Sequence, residues 1–250
     1  MERFQNRVAL VFGGAGAIGR DVALRLRSEG AQVSVADLDG DRAAAVAREV
    51  NGHAWHVDVT DPDSVARAVR RTVELGGRLD AVCSTAGLLT AQDLDELDLE
   101  TWRSCLEVNL TGSFLVAQAS AGPLAESGGG SLLLTSSTSG LVGSRGQVAY
   151  CAAKAGIIGL TRALADELAP RRIRVNCVCP GWVDTAFNDP VWEHGGGRAQ
   201  AEELLLASVP QRRQASAAEV SATAAFLLSD DASYVTGTAF AVDGGLTAVR

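Results

Sequence analysis

The sequence predicts an α/β protein: one Rossmann-type, doubly wound parallel sheet of about seven strands, with helices on both faces. Three observations predict this fold. Short apolar runs alternate with helical patterns along all 250 residues. A glycine-rich turn joins the first apolar run to the first helix. No repeat, low-complexity tract or linker interrupts the alternation, so we expect a single domain over residues 1–250.

Each predicted strand is a short apolar run bounded by turn residues, as buried parallel strands are. The seven runs cover residues 7–12, 32–36, 53–57, 79–83, 131–135, 174–179 and 238–242. The clearest helical patterns cover residues 41–50, 99–125, 147–169 and 216–228. Asp61-Pro62 begins a further helix, with Asp as the N-cap and Pro in the first turn. At about 188–210 three glycines precede a helical stretch, and we expect a mobile lid there.

The glycine-rich turn GGAGAIG lies between the first strand and the first helix, and it contains Gly13, Gly16 and Gly19. Alone, such a motif also fits a tight structural turn. Between a strand and a helix it is typical of dinucleotide binding, because the backbone and the helix amino terminus can approach a pyrophosphate. Asp37 ends the second strand, where a carboxylate can accept hydrogen bonds from an adenosine ribose and repel a 2′-phosphate. This favours NAD over NADP. Arg42 leaves NADP open, although we expect its side chain on the solvated face of its helix.

Ser137, Tyr150 and Lys154 form the second chemical feature, in the stretch STSGLVGSRGQVAYCAAK. Lys154 is the only lysine in the chain, and it lies four residues after Tyr150 on the same helix face. We expect its ammonium group to lower the pKa of Tyr150, which suits that hydroxyl to general acid–base chemistry. Ser137 could hydrogen-bond the reacting oxygen. An isolated Tyr–Lys pair would fit an ordinary surface helix, so the catalytic interpretation depends on the cofactor motif.

Composition excludes several other classes of protein. The net charge of -8 repels nucleic acid and anionic membrane surfaces. No apolar run is long enough to cross a bilayer, and the amino terminus has no signal-peptide pattern, so we expect a cytoplasmic protein. The five cysteines form no CxxC and the three histidines have no metal-ligand spacing, so we expect neither a disulfide framework nor a metal site.

Several separated motifs resemble those of the short-chain dehydrogenase/reductase family, in its compact single-domain branch. They are GGAGAIG, DVTD, STAG, VNLTG, Ser137 with YCAAK, PGWVDT and SYVTGTAFAVDGG. The resemblance implies that Tyr150 exchanges a proton with the substrate oxygen and that Ser137 polarises that oxygen. It implies that Lys154 holds the nicotinamide ribose, and that Asn109, an unusual residue inside a helix, fixes a water that relays protons towards Lys154.

The resemblance also implies an NAD(P)-binding domain and a set of cofactor contacts. The implied cofactor-binding residues are Gly13, Gly16, Ile18, Gly19, Asp37, Leu38, Asp58, Val59, Thr85, Gly87, Tyr150, Lys154, Gly181, Val183 and Thr185. Four positions depart from the family pattern. Phe12 replaces a threonine whose hydroxyl would fix the turn, Ala17 replaces a glycine, and Ser84-Thr85 replaces a pair of asparagines.

These features predict an NAD-dependent oxidoreductase that acts on a secondary alcohol or its ketone, a small molecule. A 3-oxoacyl thioester reductase and a catalytically idle NAD-binding regulator are the alternatives. The resemblance implies a homotetramer or a homodimer, with no nucleic-acid or membrane partner. We expect residues 88–94, residues 141–145 and the lid residues Phe187, Trp192 and His194 to shape an apolar, moderately bulky substrate pocket. Trp192 and His194 would equally fit packing of the lid.

Overall fold

The computed structural model describes residues 2–249, apart from the side chains of residues 201, 204 and 205. Its centre is one sheet of seven parallel strands, which confirms the predicted fold class. The strands are β1 Val8–Phe12, β2 Gln32–Asp37, β3 His53–His56, β4 Ala81–Ser84, β5 Gly130–Thr135, β6 Ile173–Pro180 and β7 Ala239–Val242.

The strand order is β3-β2-β1-β4-β5-β6-β7, so the direction of winding reverses between β1 and β4. These two strands pair in register from Ala9 with Ala81 to Phe12 with Ser84. In a sheet of this kind the crevice beyond the carboxyl ends of the strands, at the point of reversal, is where ligands bind. The glycine-rich turn leaves β1 at this point, so the topology places it in the crevice.

Helices pack on both faces of the sheet. They are α1 Ala17–Ser28, α2 Gly40–Glu49, α3 Pro62–Gly76, α4 Leu99–Leu106, α5 Gly112–Glu126, α6 Val148–Leu168, α7 Asp189–His194, α8 Arg198–Ala207 and α9 Ala217–Leu228. Asp61 accepts a hydrogen bond from the backbone N–H of Asp63, which confirms the predicted N-cap of α3. Ser216 and Glu219 form a capping box at α9, so that helix begins where the sequence predicts.

The two faces of the sheet bury two separate clusters of apolar side chains. Leu10 and Phe12 of β1 belong to the cluster beneath α3, α5 and α6, whereas Ala9 and Val11 belong to the one beneath α1, α2 and α9. This alternation follows from the two-residue period of a strand. Phe12 is fully buried, so the residue that replaces the family's threonine serves as a core side chain.

Two elements differ from the sequence prediction. The helix expected over residues 99–125 is divided, because a π-helical segment at Glu107–Thr111 separates α4 from α5. A short helix, α7, precedes the three glycines in the segment at 188–210. Within the described part of the chain, Val148–Arg171 alone is long and apolar enough to cross a membrane, but it packs against β6 as part of the core.

Candidate active site

One continuous cavity of about 330 Å³ runs from the glycine-rich turn to α6, beyond the carboxyl ends of the strands. It brings together most of the residues that the sequence singles out. Of these, the lining includes Gly13, Gly16, Ile18, Gly19, Thr85, Gly87, Ser137, Tyr150, Lys154, Gly181, Val183 and Thr185. The cofactor turn and the Ser–Tyr–Lys group, which are more than a hundred residues apart in sequence, therefore line the same space.

The glycine-rich turn has the geometry of an anion-binding cradle. Gly13 has φ +71°, and a Cβ atom there would collide with the backbone of Ala86. A Cβ at Gly19 would collide with the carbonyl oxygen of Gly13. Gly16 is the N-cap of α1 and provides no side chain to cap it, so N–H groups of the first turn remain available to a ligand. The turn thus fits the pyrophosphate of a dinucleotide.

Thr85 fixes this turn from the neighbouring strand. Its hydroxyl oxygen lies 3.0 Å from the carbonyl oxygens of both Phe12 and Gly13. The backbone N–H of Thr85 also donates to the carbonyl of Phe12, at 2.8 Å. The hydroxyl that is absent at position 12 is thus matched by one that reaches the turn from the end of β4. Position 85 lines the cavity and closes the turn at the same time.

Asp37 and Arg42 meet on one residue of the turn. The Asp37 carboxylate accepts a hydrogen bond from the backbone N–H of Ala15 at 2.9 Å, and Arg42 Nη2 donates to the carbonyl oxygen of Ala15 at 3.1 Å. Arg42 is exposed, as expected for the solvated face of its helix, but its guanidinium also reaches the turn and lines the cavity. The end of the cavity beside Asp37 therefore carries both a carboxylate and a guanidinium group.

Asp37 and four other predicted site residues lie outside the cavity lining. Leu38 is exposed, and Asp58 Oδ1 accepts hydrogen bonds from the backbone N–H and the hydroxyl of Thr60, at 2.8 and 2.7 Å. Val59 packs towards the backbone of Gly112. Asn109 is fully buried behind the lining. Asp58 and Val59 follow β3, so they lie on the same side of the sheet reversal as Asp37.

Tyr150 is 6% exposed, and burial raises its pKa, whereas a hydrogen bond with the Ser137 hydroxyl acts in the opposite direction. This net direction is opposite to the one that the sequence predicts. The Lys154 ammonium lies 5.3 Å from the centroid of the Tyr150 ring and donates to the carbonyl oxygen of Thr135 at 2.9 Å. Burial lowers the pKa of Lys154 to about 8. In the protein alone, burial therefore dominates the pKa values of both groups.

Asn109 explains the π-helical segment. Its Nδ2 donates to the carbonyl oxygens of Leu88 and Cys105, both at 2.8 Å, and its Oδ1 accepts from the Leu88 N–H at 3.3 Å. A Cβ at Gly87 would lie 3.0 Å from Asn109 Oδ1 and 3.5 Å from Lys154 Nζ. The asparagine thus binds the loop after β4 and lies next to the lysine. The water relay implied by the resemblance remains a prediction.

The substrate end of the cavity includes residues that sequence reasoning missed. Gln147, Ser139 and Trp182 line it together with Leu89, Phe187 and Asn188. Trp192 does not line it; its ring packs 5.3 Å from that of Trp182 and is buried. His194 Nε2, at the end of α7, lies 3.6 Å from the Asp93 carboxylate in the loop after β4. Of the missed residues only Gln147 had a sequence signal, since it precedes Tyr150 by three positions.

Comparisons with known proteins agree with this geometry. A family profile described as enoyl-(acyl carrier protein) reductase matches residues 13–247. The trans-4-hydroxycyclohexanecarboxylate dehydrogenase of Sinomonas cyclohexanicum is 37% identical, over 99% of this chain and 95% of the relative. The 3-oxoacyl-(acyl-carrier-protein) reductase of Thermotoga maritima is 35% identical, over 98% of this chain and 99% of the relative. A short-chain type dehydrogenase/reductase of Mycobacterium marinum has a solved structure with TM-score 0.90 and 33% identity, over 98% of this chain and 96% of that one.

The fold, the glycine cradle and the relatives together define a class of protein: an oxidoreductase that acts on CH–OH groups with a nicotinamide cofactor. Relatives more than 30% identical over nearly the whole chain then fix the family. The chain belongs to the short-chain dehydrogenase/reductase family, as the motifs predict.

Proposed function

We propose that the protein is an NAD-dependent oxidoreductase that moves a hydride between nicotinamide and a secondary alcohol or its ketone, with Tyr150 as general acid and base. The observation that carries this proposal is the shared cavity, which joins Ser137, Tyr150 and Lys154 to the glycine cradle. A bound nicotinamide supplies the hydride acceptor or donor. The protein supplies position, a proton and a site with little access to water.

The hydrogen bonds around Ser137 suit it to hold the reacting oxygen. Ser137 Oγ accepts from the backbone N–H of Ser139 at 3.1 Å and also hydrogen-bonds the Tyr150 hydroxyl, so a substrate oxygen that displaces this bond can accept from both hydroxyls. Tyr150 then gives its proton to that oxygen during reduction and takes one during oxidation. With its hydroxyl and that of Ser137 on one oxygen, the carbonyl is polarised and oriented.

Lys154 is suited to hold a ribose and to pass protons. An ammonium group has three N–H donors, and the bond to Thr135 uses one. The other two can reach the hydroxyls of a nicotinamide ribose. A pKa of about 8 lets this amine exchange protons near neutral pH. We propose that Asn109, which lies beside it across Gly87, continues the proton path through a water.

The preference for NAD is supported by Asp37, whose carboxylate lies at the turn where an adenosine ribose would sit. A 2′-phosphate at this place would be repelled. Arg42 acts in the opposite sense, because its guanidinium lies on the same turn residue. We propose that the carboxylate dominates, since Arg42 is exposed to water and already donates to Ala15.

A 3-oxoacyl thioester reductase is the second candidate, and the Thermotoga maritima relative favours it. An enzyme that binds an acidic carrier protein needs a basic surface at the entrance of its substrate cavity. The chain has a net charge of -8, and the loop after β2 reads Asp37-Leu38-Asp39. The Sinomonas cyclohexanicum relative is named for a hydroxylated ring, which supports a cyclic alcohol as the substrate instead of a thioester.

We propose a cytoplasmic homotetramer or homodimer whose substrate cavity is covered by a lid at about 188–210. Two exposed apolar surfaces support an assembly. One interface would involve the helices around the site, where Leu99, Phe114 and Val148 are exposed. A second interface would involve the edge strand β7, where Phe240 is exposed. Light scattering of the purified protein tests the assembly, and a monomeric mass at micromolar concentration would contradict it.

The experiment that tests the function measures NAD- and NADP-linked turnover of secondary alcohols and ketones by the wild type and by Tyr150→Phe. We expect turnover with NAD to exceed that with NADP, and the variant to lose about 100- to 10,000-fold in kcat, because the proton donor is gone while the ring remains. Wild-type preference for NADP and for 3-oxoacyl thioesters would favour the second candidate. Tight NAD binding without any turnover would favour a regulatory role.

A further inference from the structure

Gln147 is a buried amide in the substrate cavity with part of its hydrogen-bonding capacity unused. It is 4% exposed and lines the same space as Ser137 and Tyr150. Its Oε1 accepts a hydrogen bond from Ser139 Oγ at 2.9 Å. Within residues 2–249, no protein oxygen accepts a hydrogen bond from its Nε2. The Nε2 group is not among the fully enclosed unpaired polar atoms of the described residues, so it opens onto the cavity, where a ligand oxygen can accept from it.

The neighbours of Gln147 hold its amide in this orientation. Ser139 lies 3.2 Å, Oγ to Oγ, from Ser144, and its N–H donates to Ser137 Oγ. The backbone N–H of Gln147 donates to the carbonyl oxygen of Ser144, and its carbonyl accepts from Cys151 at the start of α6. The side chain is therefore fixed by the same loop that fixes Ser137. Its Nε2 group is a preorganised donor on the wall of the cavity.

Gln147 and the reacting centre face the same space. Gln147 is the N-cap of α6, three positions before Tyr150, and both side chains line the cavity. A substrate that is held by Tyr150 and Ser137 at one oxygen can thus offer a second oxygen to Gln147. The cavity lining also includes the apolar side chains of Leu89, Trp182 and Phe187.

The charges around Gln147 favour a neutral second oxygen. Of the described residues that line the cavity, Arg42 and Lys154 are the basic ones, and both lie on the cofactor side, bonded to Ala15 and Thr135. Arg145 is close in sequence, but its side chain is almost fully exposed and pairs with Asp93. A carboxylate beside Gln147 would therefore lose water without gaining a cation, which is costly.

We propose that Gln147 is a specificity-determining residue that selects substrates with a second, neutral oxygen acceptor besides the oxygen on the reacting carbon. The inference rests on the proposed function, because it takes Tyr150 and Ser137 as the reacting end. It narrows the substrate class to hydroxy ketones, diones or diols. It also separates this protein from a relative named for a ring carboxylate.

The test is equilibrium binding of three ketones to the protein saturated with NAD, where no hydride is available and nothing turns over. The probes are cyclohexane-1,4-dione, 4-methylcyclohexanone and 4-oxocyclohexanecarboxylate, and tryptophan fluorescence or calorimetry reports binding. We expect Gln147→Leu to lower the affinity ratio of dione to methyl ketone about tenfold, the effect of one good hydrogen bond. The carboxylate should bind no better than the methyl ketone. Gln147→Glu, which keeps an acceptor for Ser139, should lower the ratio as well.

Gln92→Leu is the matched control. Gln92 is a half-buried glutamine whose backbone N–H donates to the carbonyl oxygen of Gly146. It belongs to the stretch 88–94 that was expected to shape the pocket, but the structure places it outside the cavity lining. Its replacement should leave the ratio unchanged. An unchanged ratio in both Gln147 variants, tightest binding by the carboxylate, or binding of no ketone would overturn the inference. Reduction of these ketones with NADH is measured separately. If binding depends on Gln147 but no ketone is reduced, the proposed reaction is wrong and the inference about Gln147 stands. If the ketones are reduced but the affinity ratio is the same in the Gln147 variants, the inference is wrong and the proposed reaction stands.

Discussion

The Lys154 side chain is 2% exposed, and within residues 2–249 it donates one hydrogen bond, to the carbonyl oxygen of Thr135. Burial disfavours its charged form and lowers its pKa from 10.5 to about 8. Below about pH 8 the lysine is protonated in both the folded and the unfolded chain, so the folded state carries the full cost of burying the charge. As the pH rises from about 8 towards 10.5 the folded state loses its proton first, and this cost disappears.

Lys154→Met is therefore expected to stabilise the cofactor-free protein at pH 7 while abolishing turnover. The pKa shift corresponds to about 3 kcal/mol, and the Thr135 carbonyl left without its donor offsets part of it, so a gain of about 1–2 kcal/mol is expected. Urea unfolding at pH 7 and pH 10.5 measures it, and the gain should shrink at the higher pH. A variant that is less stable at pH 7 would contradict this account.

At the scale of single residues, the sequence identified candidate site residues that lie close to one another along the chain. Tyr150 and Lys154 were recognisable because four positions on a helix define one face. Gln147 was missed as a ligand because its role depends on which way the amide points, and Ser139 decides that in three dimensions. The contact of Arg42 with the turn was missed for a similar reason: a long side chain can reach a turn 27 residues away in sequence.

The π-helical segment shows how an element responds to one side chain. Asn109 is fully buried, and its carboxamide bonds both the Cys105 carbonyl, four residues back, and the backbone of Leu88. The segment places this carboxamide beside Gly87 and Lys154. If α4 and α5 formed one uninterrupted α-helix, the Asn109 carboxamide would point in a different direction. Insertions of this kind are often found at functional sites.

Asn109→Leu should lower the free energy of unfolding by about 2–3 kcal/mol and also lower kcat, because the loop after β4 loses its hydrogen bonds. Asn176→Leu is the matched control. Asn176 is a fully buried asparagine in β6 that bonds Val235 and Thr238 away from the cavity. It should lose comparable stability, as measured by urea unfolding, yet keep its kcat at temperatures where it stays folded. Equal kcat losses in the two variants would show that Asn109 acts through stability alone.

Strands were predicted within one or two residues because buried parallel strands are short, apolar and bounded by glycine or polar residues. The predicted helix over residues 99–125 correctly joined α4 and α5 in one helical path, but its period could not reveal the insertion. That insertion depends on contacts with Leu88, which is distant in sequence. Helix α7 has six residues with Pro190 near its start, too few for a periodic signal.

On the scale of the whole molecule, the two ends of the sheet have different tasks. The carboxyl end holds the cavity, and the amino end holds Asp80, a buried carboxylate just before β4. Burial opposes its ionisation, but hydrogen bonds from Arg78, the Val8 N–H and Arg7 outweigh burial and lower its pKa below 3.8. This carboxylate therefore stabilises the fold above about pH 4, and the contribution is lost as the pH falls through its folded-state pKa.

Asp80→Asn should cost about 2–4 kcal/mol of unfolding free energy at pH 7, since two arginines lose their charged partner. Urea unfolding at pH 7 and pH 3.5 measures it, and the difference from wild type should shrink at the acidic pH. The Kd for NAD and the kcat/KM should stay unchanged, because the site lies at the other end of the strands. A pH-independent difference would mean that shape rather than charge matters at this position.

The overall plan was accessible from the sequence because alternating strands and helices leave few topologies open. The strand order, and the division of the core into two clusters, needed the structure. The substrate end also needed it, since its lining comes from several loops whose approach no local pattern encodes. Trp182, for example, reaches the cavity from the end of β6 while Trp192 packs behind it.

The use of arginine for every other basic side chain has a practical consequence. Lys154 is the only ε-amine in the sequence, and it lies in the cavity where a ribose would cover it. With a pKa of about 8, much of it is unprotonated under mildly alkaline conditions, where amines acylate. Apart from the terminal α-amine, an amine-selective acylating reagent small enough to enter has one target in each chain. The extent of acylation, read by mass spectrometry, therefore counts uncovered active sites directly.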